Sequence, residues 1–157
     1  MADTIFVDIA TATATQISRM TSDDISALTP ADILGWTSAQ FAGLSGVQIA
    51  LLNETQVSGL NGAQIAALTR AQMRGISTTQ IAALTPEQVG FLTSVQVAFL
   101  TTTQLGGLTS TLIAGLNNVQ LRALTTAGIR SLTSEQFGAL VGGQLAAMTN
   151  SQVVALS

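Results

Sequence analysis

Apolar and polar residues alternate along this chain in a fixed pattern of eight. From Thr13 to Leu156, position five of every octad is apolar and position eight is Leu or another large apolar residue. Position one is Thr, Ser or Asn in every octad except the one that begins at Val141, and position four is usually Gln. Eighteen octads follow one another without insertion. A pattern that holds over so much of the chain identifies a tandem repeat.

Each octad carries the signals of a helix N-terminus. In TPEQVGFL, residues 85–92, the Thr85 hydroxyl can accept from an N–H of the first turn, and Gln88 can accept from the N–H of Thr85. Pro86 stands at the first helical position, where a missing N–H costs nothing. The same pattern gives structural capping roles to Thr29, Gln64, Gln80 and Gln96.

The spacing of the apolar positions predicts an all-α solenoid of two-turn helices, one per octad, joined by single capping residues. The two apolar positions lie three and then five residues apart, which does not match the two-residue period of a strand. One continuous helix would advance its apolar stripe by about 80° per octad, so the stripe would wind around the axis. Helices this short are unstable alone, so the octads must stack into a solenoid.

The pattern divides the chain into two parts. Residues 1–12 match the octad only at Asp8 and Ile9, and we expect an irregular end or cap there that covers the first coil. Residues 13–156 are expected to form one solenoid. The number of helices per superhelical turn and its handedness do not follow from the pattern. Because the last octad ends without a polar cap, we expect either a piece of a longer array or end-to-end association.

Composition excludes several classes of function. The chain contains no Cys, His, Tyr or Lys, and 8% of its residues are charged. A net charge of −3 with five scattered arginines argues against nucleic-acid binding. Without Cys and His the chain lacks the usual nucleophile–base pairs, so we expect no enzyme, no metal site and no cofactor. No run of ~20 apolar residues could span a membrane, and the N-terminus does not resemble a signal peptide.

Three large apolar residues stand at position seven, where most octads have Ala, Gly or Ser. They are Leu51, Phe91 and Phe99. They form a candidate patch for self-association or for a partner. The alternatives are a wider core and packing against a neighbouring coil.

Other departures from the pattern allow two interpretations each. Val141 has no capping oxygen, so its octad should be the weakest. Its two interpretations are tolerated drift and a functional hinge. Leu112 and Gly128 replace the glutamine of two nearby octads, through drift or to form a kink or contact surface. Asp24 and Asp32 also replace the glutamine. There a carboxylate interacts well with the helix dipole.

Two groups of charged residues are weak candidates for ion binding. Asp23, Asp24 and Asp32 form an acidic cluster, but the spacing of known calcium-binding loops is absent. Three arginines share position six, where an anion site or solvated surface charges are the alternatives; they are Arg74, Arg122 and Arg130.

The stretches LNGAQIAALTRAQ and ISTTQIAALTPEQ carry a resemblance to a known group. They resemble the octapeptide arrays of very large bacterial surface proteins that are described as adhesin-like or haem-utilisation proteins. The resemblance covers nearly the whole chain and implies a repetitive module of a secreted or cell-surface protein. Haem ligation is not expected here, since the chain has no His, Cys or Tyr for the iron.

The leading hypothesis for function is a non-enzymatic structural or interaction module, a stalk or adhesin-like segment of a bacterial surface protein. The alternatives are a solenoid scaffold that binds a protein or peptide, and a module that assembles into filaments. The partners expected are therefore a second copy of the chain or a host or cell-surface protein.

Overall fold

The computed structural model describes residues 9–156, and in this range the chain is a stack of short helices. A single 3-10 turn at Ile9–Thr11 comes first, and one α-helix per octad follows, without a strand in the described residues. The helices are α1 Ala14–Ile17, α2 Ser22–Ala27, α3 Pro30–Leu34, α4 Ser38–Phe41, α5 Gly46–Ala50, α6 Glu54–Ser58, α7 Gly62–Ala66, α8 Arg70–Gly75, α9 Thr78–Ala82, α10 Pro86–Gly90, α11 Ser94–Phe99, α12 Thr102–Gly107, α13 Ser110–Ala114, α14 Asn118–Ala123, α15 Thr126–Ser131, α16 Ser134–Gly138, α17 Gly142–Ala147 and α18 Asn150–Val154. The predicted all-α solenoid is confirmed. Of the N-terminal cap predicted at residues 1–12, residues 1–8 lie outside the described range.

The helices are shorter than the two turns that the sequence predicts. The octad 93–100 shows why, because two residues rather than one interrupt the helix at its junction with the next octad. Leu100 has φ −60° and ψ 129°, and Thr101 after it has φ −74° and ψ 160°. The Leu100 N–H then bonds to the Val97 carbonyl at 3.2 Å, which closes the helix with a tighter turn. The α-helical part of an octad is consequently four to six residues long.

One turn of the superhelix contains between three and four octads. Extensive helix–helix contacts join helices three apart, such as α5 with α8 and α11 with α14. The hydrogen bonds of the Gln48 side chain reach Ile17 and Met20, which are 31 and 28 residues earlier and belong to the fourth octad back. Each helix therefore rests on the helices three and four octads before it.

The core is one continuous apolar column formed by positions five and eight. Ile17, Ile33 and Phe41 are fully buried, and Trp36 takes the place of a leucine with 2% of its surface exposed. The Trp36 Nε1–H donates to the Ile9 carbonyl at 3.0 Å, which joins the 3-10 turn to the first coil. Burial of this column supplies the stabilisation that no single octad could provide.

Position seven of an octad lies over position two of the octad three repeats earlier. A Cβ on Gly75 would overlap the carbonyl oxygen of Gly46, so these two helices approach through bare backbone. Pro86 lies beneath Gly115, where a Cβ would be 3.4 Å from the proline ring. Small residues at position seven therefore allow successive coils to pack closely.

Candidate interaction surfaces

The glutamine at position four links each coil to the one before it. The Gln64 Oε1 accepts from the Asn61 N–H at 3.0 Å, which is the helix-capping bond. Its Nε2 donates to the carbonyls of Ile33 at 2.6 Å and Trp36 at 3.1 Å. The side chain is fully buried. One amide thus caps its own helix and binds two carbonyls of the preceding coil.

Twelve buried glutamines make this same set of contacts, and we call them the glutamine ladder. They are Gln48, Gln56, Gln64, Gln72, Gln80, Gln88, Gln96, Gln104, Gln120, Gln136, Gln144 and Gln152. Each donates to the carbonyls at positions five and eight of the fourth octad back. Without these amides, the buried position-eight carbonyls at the ends of these short octads would have no side-chain donor.

The opening octads of the chain use the same capping chemistry without the ladder. In the first octad the Gln16 Oε1 accepts from the Thr13 N–H at 2.8 Å, but the side chain is exposed. In the third octad the Asp32 carboxylate accepts from the Thr29 N–H at 2.8 Å and from its hydroxyl at 2.6 Å. The bonds to the hydroxyl and the N–H of Thr29 lower the pKa of Asp32. The bonds to the N–H and the hydroxyl of Thr21 do the same for Asp24.

Leu112 and Gly128 interrupt the ladder. The Leu112 N–H still bonds to the Thr109 hydroxyl at 3.2 Å, so the helix remains capped from one side. Neither residue has a side-chain donor for the preceding coil. Among the described residues, the carbonyls of Leu84 and Leu100 therefore receive no glutamine amide.

Val141 provides a helix start without a side-chain oxygen. The Gln144 Oε1 accepts from the Val141 N–H at 2.9 Å, so the glutamine half of the capping pair is kept. The Gln144 N–H bonds to the Val141 carbonyl at 2.9 Å in place of a hydroxyl. That its octad is the weakest stays a prediction.

The three large apolar residues at position seven are partly exposed, and two of them contact the preceding coil. The Phe91 ring lies directly over Gly62, where a Cβ would be 2.8 Å from the ring. The Arg70 guanidinium carbon lies 4.9 Å from the centre of the Phe99 ring, within the range of a cation–π contact. Phe91 and Leu51 keep 42% and 41% of their surface exposed. An interaction patch at these residues stays a prediction.

Two of the arginines at position six form specific contacts. The Arg122 Nε–H donates to the Ala147 carbonyl at 2.7 Å, and the Arg130 Nε–H donates to the Ala155 carbonyl at 2.9 Å. Both acceptors lie at the C-terminal end of a helix three octads further on, where a cation also interacts well with the helix dipole. These arginines therefore join coils, a role that the sequence pattern did not suggest.

The described residues contain no group of three or more acidic, histidine or cysteine side chains that could hold a metal ion. The same part of the chain contains no helix that is long and apolar enough to cross a membrane.

The two ends of the described array differ in how their apolar residues are covered. At the N-terminal end, the position-five residue Ile17 is fully buried by the coil that follows. At the C-terminal end, Leu145, Val153 and Leu156 expose 39%, 52% and 44% of their surface. Within residues 9–156, the position-five side chains of the last two octads are therefore less covered than that of the first octad.

A family described as "ALTTAQ repeat" matches residues 63–94 and 113–150 of this chain. The match supports a repeat array, and its two segments lie within the octads that the structure shows. No curated protein and no solved structure matches the chain significantly.

Proposed function

We propose that this repeat array is a non-enzymatic structural and interaction module, serving as a stalk-like segment of a secreted or surface protein of a bacterium. The observation that carries the proposal is the glutamine ladder. It repeats one contact between coils along nearly the whole array, as a module that acts through its length and its repeated surface requires. The sequence resemblance to octapeptide arrays of bacterial surface proteins supports the location.

The ladder suits a spacer whose length follows the number of octads. Each coil contacts the coils next to it, so stability is roughly a sum over coils and their interfaces. An additional octad brings its own cap, its own amide and its own two apolar residues. Whole octads can therefore be added or lost without a break in the pattern, whereas a fraction of an octad would shift every later contact.

Insertion of whole octads tests the spacer role. Duplication of residues 45–108 adds eight octads, which correspond to at least two coils. With neighbouring helices about 8–10 Å apart, the maximum dimension from small-angle X-ray scattering should grow by about 20 Å. The matched control adds four more residues at the same junction and should lower the melting temperature. An unchanged maximum dimension in the eight-octad variant would contradict a spacer.

Surface display is tested in the bacterium that carries the gene. Antibodies raised against the array should label intact cells, or detect the protein in the medium, as well as they detect it in lysed cells. Detection only after lysis would contradict the proposed location and would leave the spacer role to the scattering experiment.

A further inference from the structure

Charged residues are distributed unevenly over the faces of the superhelix. Helices three octads apart stack on one another, so α5, α8, α11 and α14 form one face, and α7, α10, α13 and α16 form another. We call them the arginine face and the glutamate face. The octads of the arginine face contain Arg70, Arg74 and Arg122 and neither Asp nor Glu. The octads of the glutamate face contain Glu87 and Glu135 and no Arg. The two faces therefore carry opposite charge.

Apolar side chains also distinguish the two faces. The valines at position three of the octads all lie on the arginine face, and each exposes more than half of its surface. They are Val47, Val95 and Val119. Leu51 and Phe99 stand four residues after the first two, on the same sides of their helices. On the glutamate face, positions six and seven are Ala or Gly except at Phe91. The arginine face thus has projecting apolar side chains, and the glutamate face has mostly small ones.

The charges of the two faces recur at the same spacing along the array. Arg74 and Arg122 both occupy position six, and they are six octads apart. Glu87 and Glu135 both occupy position three, and they are also six octads apart. Six octads correspond to two steps between stacked helices, so each pair spans about 16–20 Å of the superhelix axis. Two parallel copies can therefore lie side by side with each of these arginines opposite a glutamate.

We propose that the arginine face of one copy docks on the glutamate face of a second, parallel copy. In this register α8 lies opposite α10, and α14 lies opposite α16. Val47 on α5 and Val95 on α11 then lie opposite α7 and α13, whose small residues, such as Ala66 and Ala114, can accept them. Because the two faces differ, each copy in a pair keeps one face of each kind, so further copies can add. The proposal rests on the interaction part of the proposed function and does not depend on its spacer part.

The charged groups are available for these contacts. All four side chains of the two pairs are exposed. Arg122 uses its Nε–H for the Ala147 carbonyl, and the two terminal nitrogens of its guanidinium can still donate to a carboxylate. Glu135 accepts from the Ser110 hydroxyl at 2.9 Å through one oxygen and has a second acceptor oxygen. Two arginine faces would instead bring like charges together, so the glutamate face is the better partner.

Sedimentation equilibrium of the chain and of charge-reversed variants tests the proposal. Four short helices on each side form a small interface, so we expect association toward millimolar concentration that weakens in high salt. Arg74→Glu with Arg122→Glu reverses the arginine face, and Glu87→Arg with Glu135→Arg reverses the glutamate face. Each double variant should associate at least about tenfold more weakly than the parent. An equimolar mixture of the two should recover the parental affinity, because each reversed face finds the opposite charge on the other variant.

The matched control changes charge outside the two faces. Arg19→Glu with Arg130→Glu alters the net charge as much as the arginine-face variant does. It also removes the bond from Arg130 to a carbonyl three octads further on, as Arg122→Glu does for its own bond. The control should associate close to the parental affinity, and circular dichroism checks that every variant is folded.

Two results would overturn the proposal. One is a parent that stays monomeric at every concentration and salt; if that parent bound phosphatidylglycerol vesicles and the arginine-face variant did not, a membrane would be the occupant of the arginine face. The other is a mixture of folded double variants that associates no more strongly than either variant alone. Neither result would change the outcome of the scattering experiment on the spacer role.

Discussion

Gln16 in the first coil and Gln64 in the interior have the same place in the octad and different surroundings. Both accept from the N–H of the residue that caps their helix, at 2.8 and 3.0 Å. Only Gln64 is buried, and only its amide reaches the carbonyls of Ile33 and Trp36. The comparison separates two roles of one residue, because capping needs an acceptor and joining coils needs a donor.

The same comparison explains where carboxylates replace the amide. A carboxylate caps a helix at least as well as an amide and interacts favourably with the helix dipole. Yet position four carries aspartate only at Asp24 and Asp32, in the opening octads, and never carries glutamate. In the ladder a carboxylate would lose two hydrogen bonds and bury a charge, so the interior octads retain glutamine.

The largest effect that we predict comes from glutamate in the interior. Gln64→Glu keeps the acceptor for Asn61 but removes both donors and places a charge among carbonyl oxygens. We expect a loss of about 3–5 kcal/mol of unfolding free energy at pH 7, measured by urea denaturation. Gln16→Glu, the matched change in the first coil, should stay within about 0.5 kcal/mol of the parent.

The pH dependence of stability provides a second test of the Gln64→Glu and Gln16→Glu variants. Burial should raise the pKa of the carboxyl at position 64, so the folded variant would bind a proton that the unfolded chain lacks. Stability of the variant relative to the parent should then recover as the pH falls through that raised pKa. Equal losses at positions 16 and 64 would mean that capping alone explains the glutamine.

Close backbone packing between coils should give the next largest effect. Gly75→Ala places a Cβ onto the Gly46 carbonyl, and we expect a loss of about 1–3 kcal/mol. Gly106→Ala is the control, because a Cβ there meets nothing within 4 Å. That variant should gain about 0.5–1 kcal/mol from helix propensity. Equal melting temperatures for the two variants would refute close approach as the role of Gly75.

Restoring a missing ladder contact should produce a gain. Gly128→Gln can donate toward the carbonyls of Val97 and Leu100, whereas Gly128→Ala supplies helix propensity without an amide. Both variants must displace the flexible end of Leu105, which lies 2.8 Å from the Cβ position. We therefore expect the Gln variant to exceed the Ala variant by about 1 kcal/mol in urea denaturation. A more stable Ala variant would show that the two carbonyls need no further donor.

Much of the fold could be predicted because its signals are local. A helix start is indicated within four residues, by Thr85, Pro86 and Gln88. The spacing of the apolar positions excludes a strand. The helix length was harder to predict from the sequence, because the extended conformation of Leu100 depends on how the chain turns into the next octad. The number of octads per turn depends on contacts 25 to 31 residues apart, which a strict eight-residue period cannot reveal.

The role of the ladder between coils was missed, although the sequence held a signal for it. Capping alone does not distinguish Gln from Glu or Asp, so repeated use of the amide indicates that its donors are needed. Phe91 and Phe99 stood out as large residues, but the partners below them, Gly62 and Arg70, are known only once the coil repeat is known. The contacts of Arg122 were hidden for the same reason.

The smallest predicted effect concerns the carboxylates of the first coil. Hydrogen bonds from Thr21 and Thr29 lower the pKa of Asp24 and of Asp32 in the folded chain. Their contribution is therefore fully present above the unfolded pKa of about 3.9 and is lost as the pH falls through the lower folded values. Both groups are near the surface, so the effect should be modest.

Melting temperatures from neutral pH down to about pH 2 should expose this contribution. The parent should lose more stability below about pH 4 than the double variant Asp24→Asn, Asp32→Asn, in which neither side chain titrates. Asp23 provides the matched control, because it lies beside Asp24 in the first turn of α2 without a capping role. The Asp23→Asn variant should therefore lose stability at acid pH to the same extent as the parent. If the double variant instead loses as much stability at acid pH as the parent, the capping bonds of the first coil do not depend on charge. An amide and a carboxylate at position four would then differ only where a coil lies below.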